Sequence, residues 1–369
     1  MASTAPVPGT ALCLSGGGFR ATLFHLGSLW RLNELRRLST LKIITSVSGG
    51  SITAGYLGLR WKDLTFNNQG IATNYTETIV QPLRAFCHGT YDIAAGVLGL
   101  LPGVGGGDVV ARSYRKHLYG DATLQDLPDE ANAPRFILYA TSLQTGVSVR
   151  FSKTFLRDYK VGRIDNPVVP LAKAVAASSA FPPILSPVHV DLDPASWSRE
   201  EGNVYHHELD LRKRLALTDG GVYDNMGLEA VFDRYETVLV SDAGAPFELD
   251  RSPSGMWLSL TKRALLIASE QTRALRKRWL INDFKAGARR GTYWGIATHI
   301  DDYDLGDALA KDSERTAQMA RITTRLSDIG DEEQERLINW GYALTDAAVR
   351  KHVSPQVTRG AWPYPSQAL

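Results

Sequence analysis

A serine stands at the junction between a predicted strand and a predicted helix. Ser48 follows Leu41–Val47, a run rich in β-branched residues, and precedes a helical segment that starts at Ser51. The local sequence SVSGG approximates Gly-x-Ser-x-Gly, in which small flanking residues make room for a sharp strand-to-helix turn. Ser46 replaces the first glycine and is small enough for such a turn. Ser46 and Ser51 are competing hydroxyls, but only Ser48 occupies the apex, where the dipole of the next helix favours an alkoxide nucleophile.

Three consecutive glycines form a second turn near the start of the chain. Gly16, Gly17 and Gly18 end a short apolar run and precede an amphipathic helix. With no side chains in the way, their N–H groups can converge on the oxyanion of an acyl-transfer intermediate or on a phosphate. The phosphate alternative is weaker, because no Lys-Ser or Lys-Thr follows and position 21 is alanine. Arg20 is suited to anchoring the loop or to contacting an anionic group of a substrate.

Asp219, followed by Gly220 and Gly221, comes directly after a short predicted strand. On its own, such a triplet is typical of a turn. Together with a nucleophilic serine it supports a second interpretation, because a carboxylate within hydrogen-bonding distance of Ser48 can act as a general base.

The histidines do not complete a Ser-His-Asp triad in the chain order serine, acid, histidine. Only His299 and His352 follow Asp219, and neither stands in a catalytic sequence context. We interpret His25, on the first predicted helix, as a packed or supporting residue. The sequence therefore favours a Ser48–Asp219 dyad over a triad.

Elements of an α/β protein surround these turns. Strands are predicted at 11–15, 41–47, 135–140, 215–218 and 237–241. Two strand–turn–helix units near the start of the chain indicate a sheet with helices on its faces. From Met256 onward the chain is predicted to be almost wholly helical, with segments near 256–286, 307–327 and 331–351. We expect residues 1–250 to form the catalytic domain and 251–369 a helical extension packed on it, with a soft boundary.

Composition excludes several classes of protein. The 369-residue chain is 44% hydrophobic and 22% charged, with a net charge of +2, so it can bury a core without disulfides or metals. Cys13 and Cys87 indicate neither a disulfide scaffold nor a zinc site. No signal-peptide pattern and no transmembrane window are found. We expect a cytoplasmic protein without metal or cofactor, for which peripheral membrane association stays open.

Five segments, in this order, resemble the motifs of the patatin-like phospholipase family. They are Gly16, Gly17 and Gly18 with Arg20, the turn at Ser48, residues 140–146 (ATSLQTG), residues 177–183 (ASSAFPP), and Asp219 with Gly220. The resemblance spans roughly residues 10 to 245, and the ordered set is far more specific than any one motif.

This resemblance implies a three-layer α/β/α fold with a central, mostly parallel sheet and an added C-terminal helical region. It also implies a phospholipase A-type serine hydrolase that cleaves acyl esters of phospholipids or neutral lipids, without metal or calcium. The site residues it assigns are the dyad Ser48 and Asp219, the oxyanion donors Gly16, Gly17, Gly18 and Gly49, and the supporting residues Arg20, Gly50 and Gly220. Two alternatives stay open, a catalytically idle patatin-like scaffold and a nucleotide-phosphate-binding protein.

Two segments outside the motifs suggest which molecules the protein could bind. Residues 93–107 are apolar and Gly-rich, suited to a lipid interface, to covering an acyl pocket, or to an ordinary buried segment. Residues 262–290 hold nine basic residues against two acidic ones, and Arg273, Arg276 and Lys277 fall on one helical face. That stripe could attract anionic lipid head groups, or a regulatory nucleotide, since some bacterial members of the family are nucleotide-controlled effectors. The alternative is a solvated face paired with acidic residues. Nucleic acid is not expected.

Overall fold

The computed structural model describes residues 6–92, 105–232 and 234–369. Eleven strands, β1 to β11 in chain order, form one sheet in this part of the chain. Their bounds are Val7–Leu14, Leu41–Val47, Arg135–Ser142, Ser148–Phe151, Phe155–Asp158, Gly162–Asp165, Val188–Asp191, Trp197–Ser198, Arg214–Asp219, Tyr235–Asp242 and Arg290–Gly295.

The α-helices of the same residues are α1 to α10 in chain order. Their bounds are Gly18–Glu34, Gly49–Arg60, Gln81–Phe86, Gly106–Tyr114, Leu171–Ser179, Leu209–Lys213, Gly221–Asp224, Trp257–Lys285, Glu314–Arg321 and Asp331–His352. Two π-helical turns adjoin them, Thr76–Val80 before α3 and Arg115–Tyr119 after α4. Most of the apolar segment 93–107 lies outside the described residues, so its predicted role stays untested.

The sheet is parallel at its centre and antiparallel on its flank. The strand order is β11-β10-β1-β2-β3-β4-β5-β6-β8, and β9 pairs with both β3 and β7. The pairs from β11 to β3 are parallel, and the remaining pairs are antiparallel. Central parallel strands are covered on both faces, which explains apolar runs such as ALCL in β1 and VLV in β10. The predicted central parallel sheet is present, with a larger antiparallel part than expected.

Helices cover both faces of the sheet and produce the three predicted layers. Leu12 and Leu14 of β1 pack in the core beneath α1, α2 and α10. The alternate residues Ala11 and Cys13 pack in a second core, which includes Leu280 of α8. This alternation is the two-residue period of a strand whose two faces are both buried.

The C-terminal residues complete the sheet and cover one of its faces. β11 pairs in parallel with β10. α10 crosses α1 at Gly27 and Gly341, where a side chain on either glycine would collide with the backbone of the other helix. The prediction of an almost wholly helical C-terminal region was wrong at β11, because six residues with two glycines carry little local signal and become a strand by pairing. The segment predicted at 307–327 is helical only over Glu314–Arg321.

Candidate active site

Ser48 is held on a strained turn between β2 and α2. Its backbone has φ 51° and ψ −120°, a left-handed conformation that is unfavourable for a residue with a side chain. The turn fits because Gly50 approaches the end of β1 closely: a Cβ there would lie 2.5 Å from the carbonyl oxygen of Leu14. The Ser48 side chain therefore stands at the N-terminus of α2, as the motif predicts.

A chain of three buried hydroxyls supports this turn from the interior of the protein. The Ser48 N–H donates to Ser178 Oγ at 3.0 Å, and the Ser178 hydroxyl donates to Ser51 Oγ at 2.8 Å. Ser51 Oγ lies 2.9 Å from Ser46 Oγ. All three supporting serines are fully buried. The competing hydroxyls of Ser46 and Ser51 are thus occupied in holding Ser48, and the network explains how serine is accommodated where the motif has glycine.

Strand register brings Asp219 to the level of Ser48, although 171 residues separate them in the chain. β2 pairs with β3 in parallel, with Val47 opposite Tyr139. β3 pairs with β9 in antiparallel register, with Ala140 opposite Asp219. Ser48 is therefore level with Ala140, and Asp219 lies across from it on the next strand.

The Asp219 carboxyl is buried, at 3% residue exposure, and meets the Ser48 hydroxyl. The Gly221 N–H donates to Asp219 Oδ1 at 2.6 Å. Burial raises the pKa of Asp219 to about 7, against smaller lowering effects of the hydrogen bonds from Gly221 and Ser48. A carboxyl with a pKa near neutrality can both accept and return a proton at neutral pH.

The two lesser motif segments hold the strand that carries Asp219. The Asp219 N–H donates to the Ala180 carbonyl at 3.0 Å, and the Thr141 hydroxyl donates to the Asp219 carbonyl at 2.9 Å. The Gly220 N–H donates to the Ser178 carbonyl at 3.2 Å. Residues 140–146 and 177–183 therefore position the acid, and Ser178 links it to the serine turn.

The glycine loop packs directly against the serine turn. A Cβ on Gly16 would lie 3.0 Å from the Ser48 Cβ, and one on Gly49 would collide with the Gly18 carbonyl. Gly17 and Gly18 adopt φ 146° and 60°, values that favour glycine. In the part of the chain that the structure describes, the N–H groups of Gly17, Gly18 and Gly49 donate no hydrogen bond. They lie at the N-terminal ends of α1 and α2, where such groups lack intrahelical partners.

Gly16 differs from the other predicted oxyanion donors. Its N–H donates to the Asn225 carbonyl at 3.1 Å, so we correct its predicted role from donor to spacer beside Ser48. The Asn225 side chain lies between Gly16 and Gly221, where a Cβ on either glycine would collide with Oδ1. Sequence reasoning missed Asn225, and it singled out the segment 177–183 without giving Ser178 a role, because the contacts of both residues depend on how distant loops pack.

Arg20 anchors the glycine loop from inside the protein. Its Nε and one terminal nitrogen donate to the Ala243 carbonyl at 3.2 and 2.9 Å, and the other terminal nitrogen donates to the Ile322 carbonyl at 2.5 Å. The side chain is almost fully buried, and burial lowers its pKa to about 10. Of the two roles that the sequence left open, the structure supports the anchor.

His25 is a packed residue, in keeping with its sequence interpretation. Nε2 lies 2.9 Å from the Ser15 carbonyl, and Nδ1 lies 2.9 Å from Ser241 Oγ. Because a carbonyl only accepts, Nε2 carries the proton and Nδ1 accepts from Ser241. Burial lowers the pKa of His25 to about 4, so the ring is neutral at physiological pH. No histidine of the described ranges forms a hydrogen bond with Ser48 or Asp219.

The basic stripe of the C-terminal region faces the protein. Arg273 lies 3.7 Å from the buried Asp242, and Arg276 lies 3.6 Å from the buried Asp224. The Lys277 ammonium lies over the ring of Tyr293, 4.3 Å from its centroid. The two arginines are thus paired with buried acids and Lys277 with an aromatic ring, which for the arginines corresponds to the alternative of a helix face paired with acidic residues.

Within residues 6–92, 105–232 and 234–369, no group of three or more His, Cys, Asp or Glu side chains is arranged to hold a metal ion. No helix in those ranges has the length and apolar composition needed to cross a bilayer.

The fold and the motif-bearing loops define an α/β protein with a serine turn of the lipase type. More specifically, the chain belongs to the patatin-like phospholipase family, whose sequence model matches residues 12–232. No curated protein matches the sequence.

Solved structures include folds similar to this one. The human GIVD cytosolic phospholipase A2 in complex with methyl gamma-linolenyl fluorophosphonate is 15% identical, with a TM-score of 0.53, over 94% of this chain and 58% of that chain. VipD from Legionella pneumophila is 16% identical, with a TM-score of 0.38, over 95% of this chain and 68% of that chain. The likeness to the human enzyme concerns the fold alone. This chain spans about three fifths of the human structures that it matches.

Proposed function

We propose that the protein is a serine lipid acyl hydrolase of the phospholipase A type, with Ser48 as nucleophile and Asp219 as its only proton-transfer partner. One observation carries the proposal: a serine on a strained turn meets a buried carboxyl whose pKa lies near 7. A carboxylate of ordinary pKa is a weak base toward a hydroxyl at neutral pH, and burial strengthens it.

In the first half of the reaction, the Asp219 carboxylate accepts the proton of Ser48 Oγ while Oγ bonds to the ester carbonyl carbon. The carbonyl oxygen becomes an oxyanion, for which Gly17, Gly18 and Gly49 offer unpaired N–H groups. Protonated Asp219 then gives its proton to the leaving alkoxide as the ester C–O bond breaks. The products are the free alcohol and an acyl ester on Ser48.

In the second half, a water molecule attacks the acyl carbon while Asp219 accepts one of its protons. The same glycine N–H groups stabilise the second oxyanion. When this intermediate collapses, Ser48 Oγ leaves and takes the proton back from Asp219. The fatty acid is released and both side chains return to their starting states.

We infer the substrate class from the family to which the chain belongs. Membership of the patatin-like phospholipase family favours acyl esters of phospholipids or related lipids. The similar human fold was solved with methyl gamma-linolenyl fluorophosphonate, which supports trying the same class of reagent here. We propose that the protein acts as a peripheral enzyme on the cytoplasmic side of a membrane.

The phosphate-binding alternatives have less support. A phosphate cradle at the glycine loop would use the Gly16 N–H and a nearby cation, but that N–H is bonded to Asn225 and Arg20 is bonded to two carbonyls. Control by a nucleotide bound to Arg273 and Arg276 would require both to leave buried carboxylates. An idle scaffold would need neither the strained serine nor a raised carboxyl pKa.

The test measures fatty-acid release from mixed phospholipid vesicles by the wild type, Ser48→Ala and Asp219→Ala. We expect release by the wild type and a loss of more than about a thousandfold in each variant, the scale seen for nucleophile and base removal. Ser196→Ala, which removes an exposed hydroxyl, is the matched control and should retain full activity.

A fluorophosphonate probe supplies a second readout, since it labels only an activated serine. Labelling of the wild type that disappears in Ser48→Ala supports the assignment. Release and labelling that both survive Ser48→Ala would place the nucleophile elsewhere, and a wild type that is neither labelled nor active would favour the idle scaffold.

A further inference from the structure

Helix α8 is longer than the sheet that it covers. It connects the parallel strands β10 and β11 and therefore runs antiparallel to them. Its C-terminal part packs on the sheet through Leu280, which is fully buried. Arg273 lies beside Asp242, the last residue of β10, and so marks the carboxyl edge of the sheet. Ser48 follows β2 at this same edge.

The part of α8 before Arg273 extends beyond that edge. Residues 257–272 form about four and a half turns, or about 24 Å at 1.5 Å per residue. The chain leading into the helix follows it outward, since Arg263 donates to the Glu248 carbonyl at 3.1 Å and lies over the ring of Phe247. The helix and this connecting chain thus form a projection on the side of the candidate active site.

The outward face of the projection is apolar. One face carries apolar residues at helical spacing that are each roughly half exposed or more, Trp257, Leu260 and Ile267, with Trp257 at 76%. Leu249 and Met256, in the chain that leads into the helix, are 79% and 70% exposed. A solvent-facing helix surface is normally polar, so this apolar face is unusual and points to a partner. We call it the α8 apolar face.

The charged side chains in the N-terminal part of α8, before Glu270, are basic. Between Ser252 and Ser269 the charged residues are Lys262 and Arg263, and no acidic residue occurs. Lys262 is exposed, whereas Arg263 is partly covered by its contacts with Phe247 and the Glu248 carbonyl. The acids of the connecting chain are Glu248 and Asp250, and Asp250 lies 4.0 Å from Arg263, so Lys262 is the cation of this segment without an acidic partner among the described residues. Anionic lipid phosphates supply the countercharge, and the acyl region accepts tryptophan and leucine.

We propose that the α8 apolar face docks the protein on an anionic lipid bilayer. The inference rests on the proposed function in one respect, because docking at this edge would turn Ser48 toward its substrate. Trp257, Leu260 and Met256 enter the interface, and Lys262, five residues after Trp257 on the other side of the helix, extends toward the phosphates. Docking through this surface is separate from catalysis, so the two can be tested apart.

Binding is measured with Ser48→Ala protein, which keeps the vesicles intact. Co-sedimentation uses vesicles of phosphatidylcholine alone and vesicles with added phosphatidylglycerol. We expect binding to the anionic vesicles, and at least about a tenfold loss of partitioning in Trp257→Ala/Leu260→Ala, which corresponds to about 1.4 kcal/mol. Lys262→Gln should weaken the preference for anionic vesicles. Val168→Glu, which alters an equally exposed apolar residue elsewhere, is the control and should bind normally.

Two results would overturn the proposal. One is equal partitioning of the control and the double variant. The other is a dimer in sedimentation velocity that the double variant dissociates while vesicle binding is absent, which would assign the face to a second copy. With Ser48 restored, the double variant should hydrolyse a soluble short-chain ester normally and vesicle lipids poorly. If no ester is hydrolysed by the wild type, the proposed function fails and the binding result still stands.

Discussion

Ser178 accepts a hydrogen bond from the backbone N–H of Ser48 through its hydroxyl oxygen, at 3.0 Å. The same residue accepts the Gly220 N–H through its carbonyl oxygen, at 3.2 Å. One short segment at the end of α5 thereby ties the serine turn to the loop of Asp219. Neither loop could move relative to the other without breaking a buried hydrogen bond, so Ser178 is the residue that we expect to fix the geometry of the dyad.

Replacing this link should reduce both activity and stability. Ser178→Ala leaves the Ser48 N–H without its acceptor in a buried place, at a cost of about 1–3 kcal/mol in the free energy of unfolding. We expect kcat for a soluble ester to fall at least about tenfold, with KM little changed, because Ser178 acts through Ser48. Urea unfolding and steady-state kinetics measure the two effects. Ser196→Ala, at an exposed hydroxyl, is the control, and unchanged kcat in Ser178→Ala would contradict the link.

The raised pKa of Asp219 predicts a pH profile. Only the carboxylate can accept the Ser48 proton, so kcat/KM should rise with pH through about 7 and level off above it. Below that pH the rate should fall about tenfold per unit, because the carboxyl is protonated. Kinetics on an uncharged soluble ester avoid titration of the substrate. A profile that is flat between pH 5 and 8, for example, would remove Asp219 as the base.

Asp219 should also make stability depend on pH in a direction unusual for a carboxyl. Its pKa in the folded state is about 7, above the ordinary value of 3.8, so the folded state binds the proton more tightly. The free energy of unfolding should therefore fall as pH rises from about 4 to about 7. Asp219→Asn removes this dependence and should be more stable than the wild type at pH 8, though inactive. Thermal unfolding of both proteins at pH 5 and pH 8 measures this difference. An equal change in melting temperature between the two pH values in both proteins would refute the prediction.

A substitution at Arg20 distinguishes a residue that anchors the glycine loop from one that contacts the substrate. Arg20→Lys keeps the charge but cannot reach both the Ala243 and the Ile322 carbonyls, so we expect a loss of about 2 kcal/mol in the free energy of unfolding. Relative rates on anionic and zwitterionic phospholipids should be unchanged, because the guanidinium is buried. A selective loss on anionic lipids, without loss of stability, would return Arg20 to the substrate.

Local features of this protein could be predicted because their causes lie within a few residues. The turn at Ser48 and the loop at Gly17 and Gly18 need small residues or free φ angles at fixed positions, and the sequence carries that requirement directly. The strands beneath them are apolar runs, and the helices after them repeat every three or four residues. Serine at position 46 was the one irregularity, and its buried hydroxyl network explains it.

Relations between distant segments were decided only by tertiary structure. The opposition of Ala140 and Asp219, which brings the acid to Ser48, is a strand register and has no local sequence signal. β11 is a strand because β10 offers it an edge. Arg273 and Arg276 face inward because buried carboxylates lie there, while the apolar side chains of α8 face outward beyond the sheet. The same helical periodicity fits either orientation, and packing against a particular neighbour selects one of them.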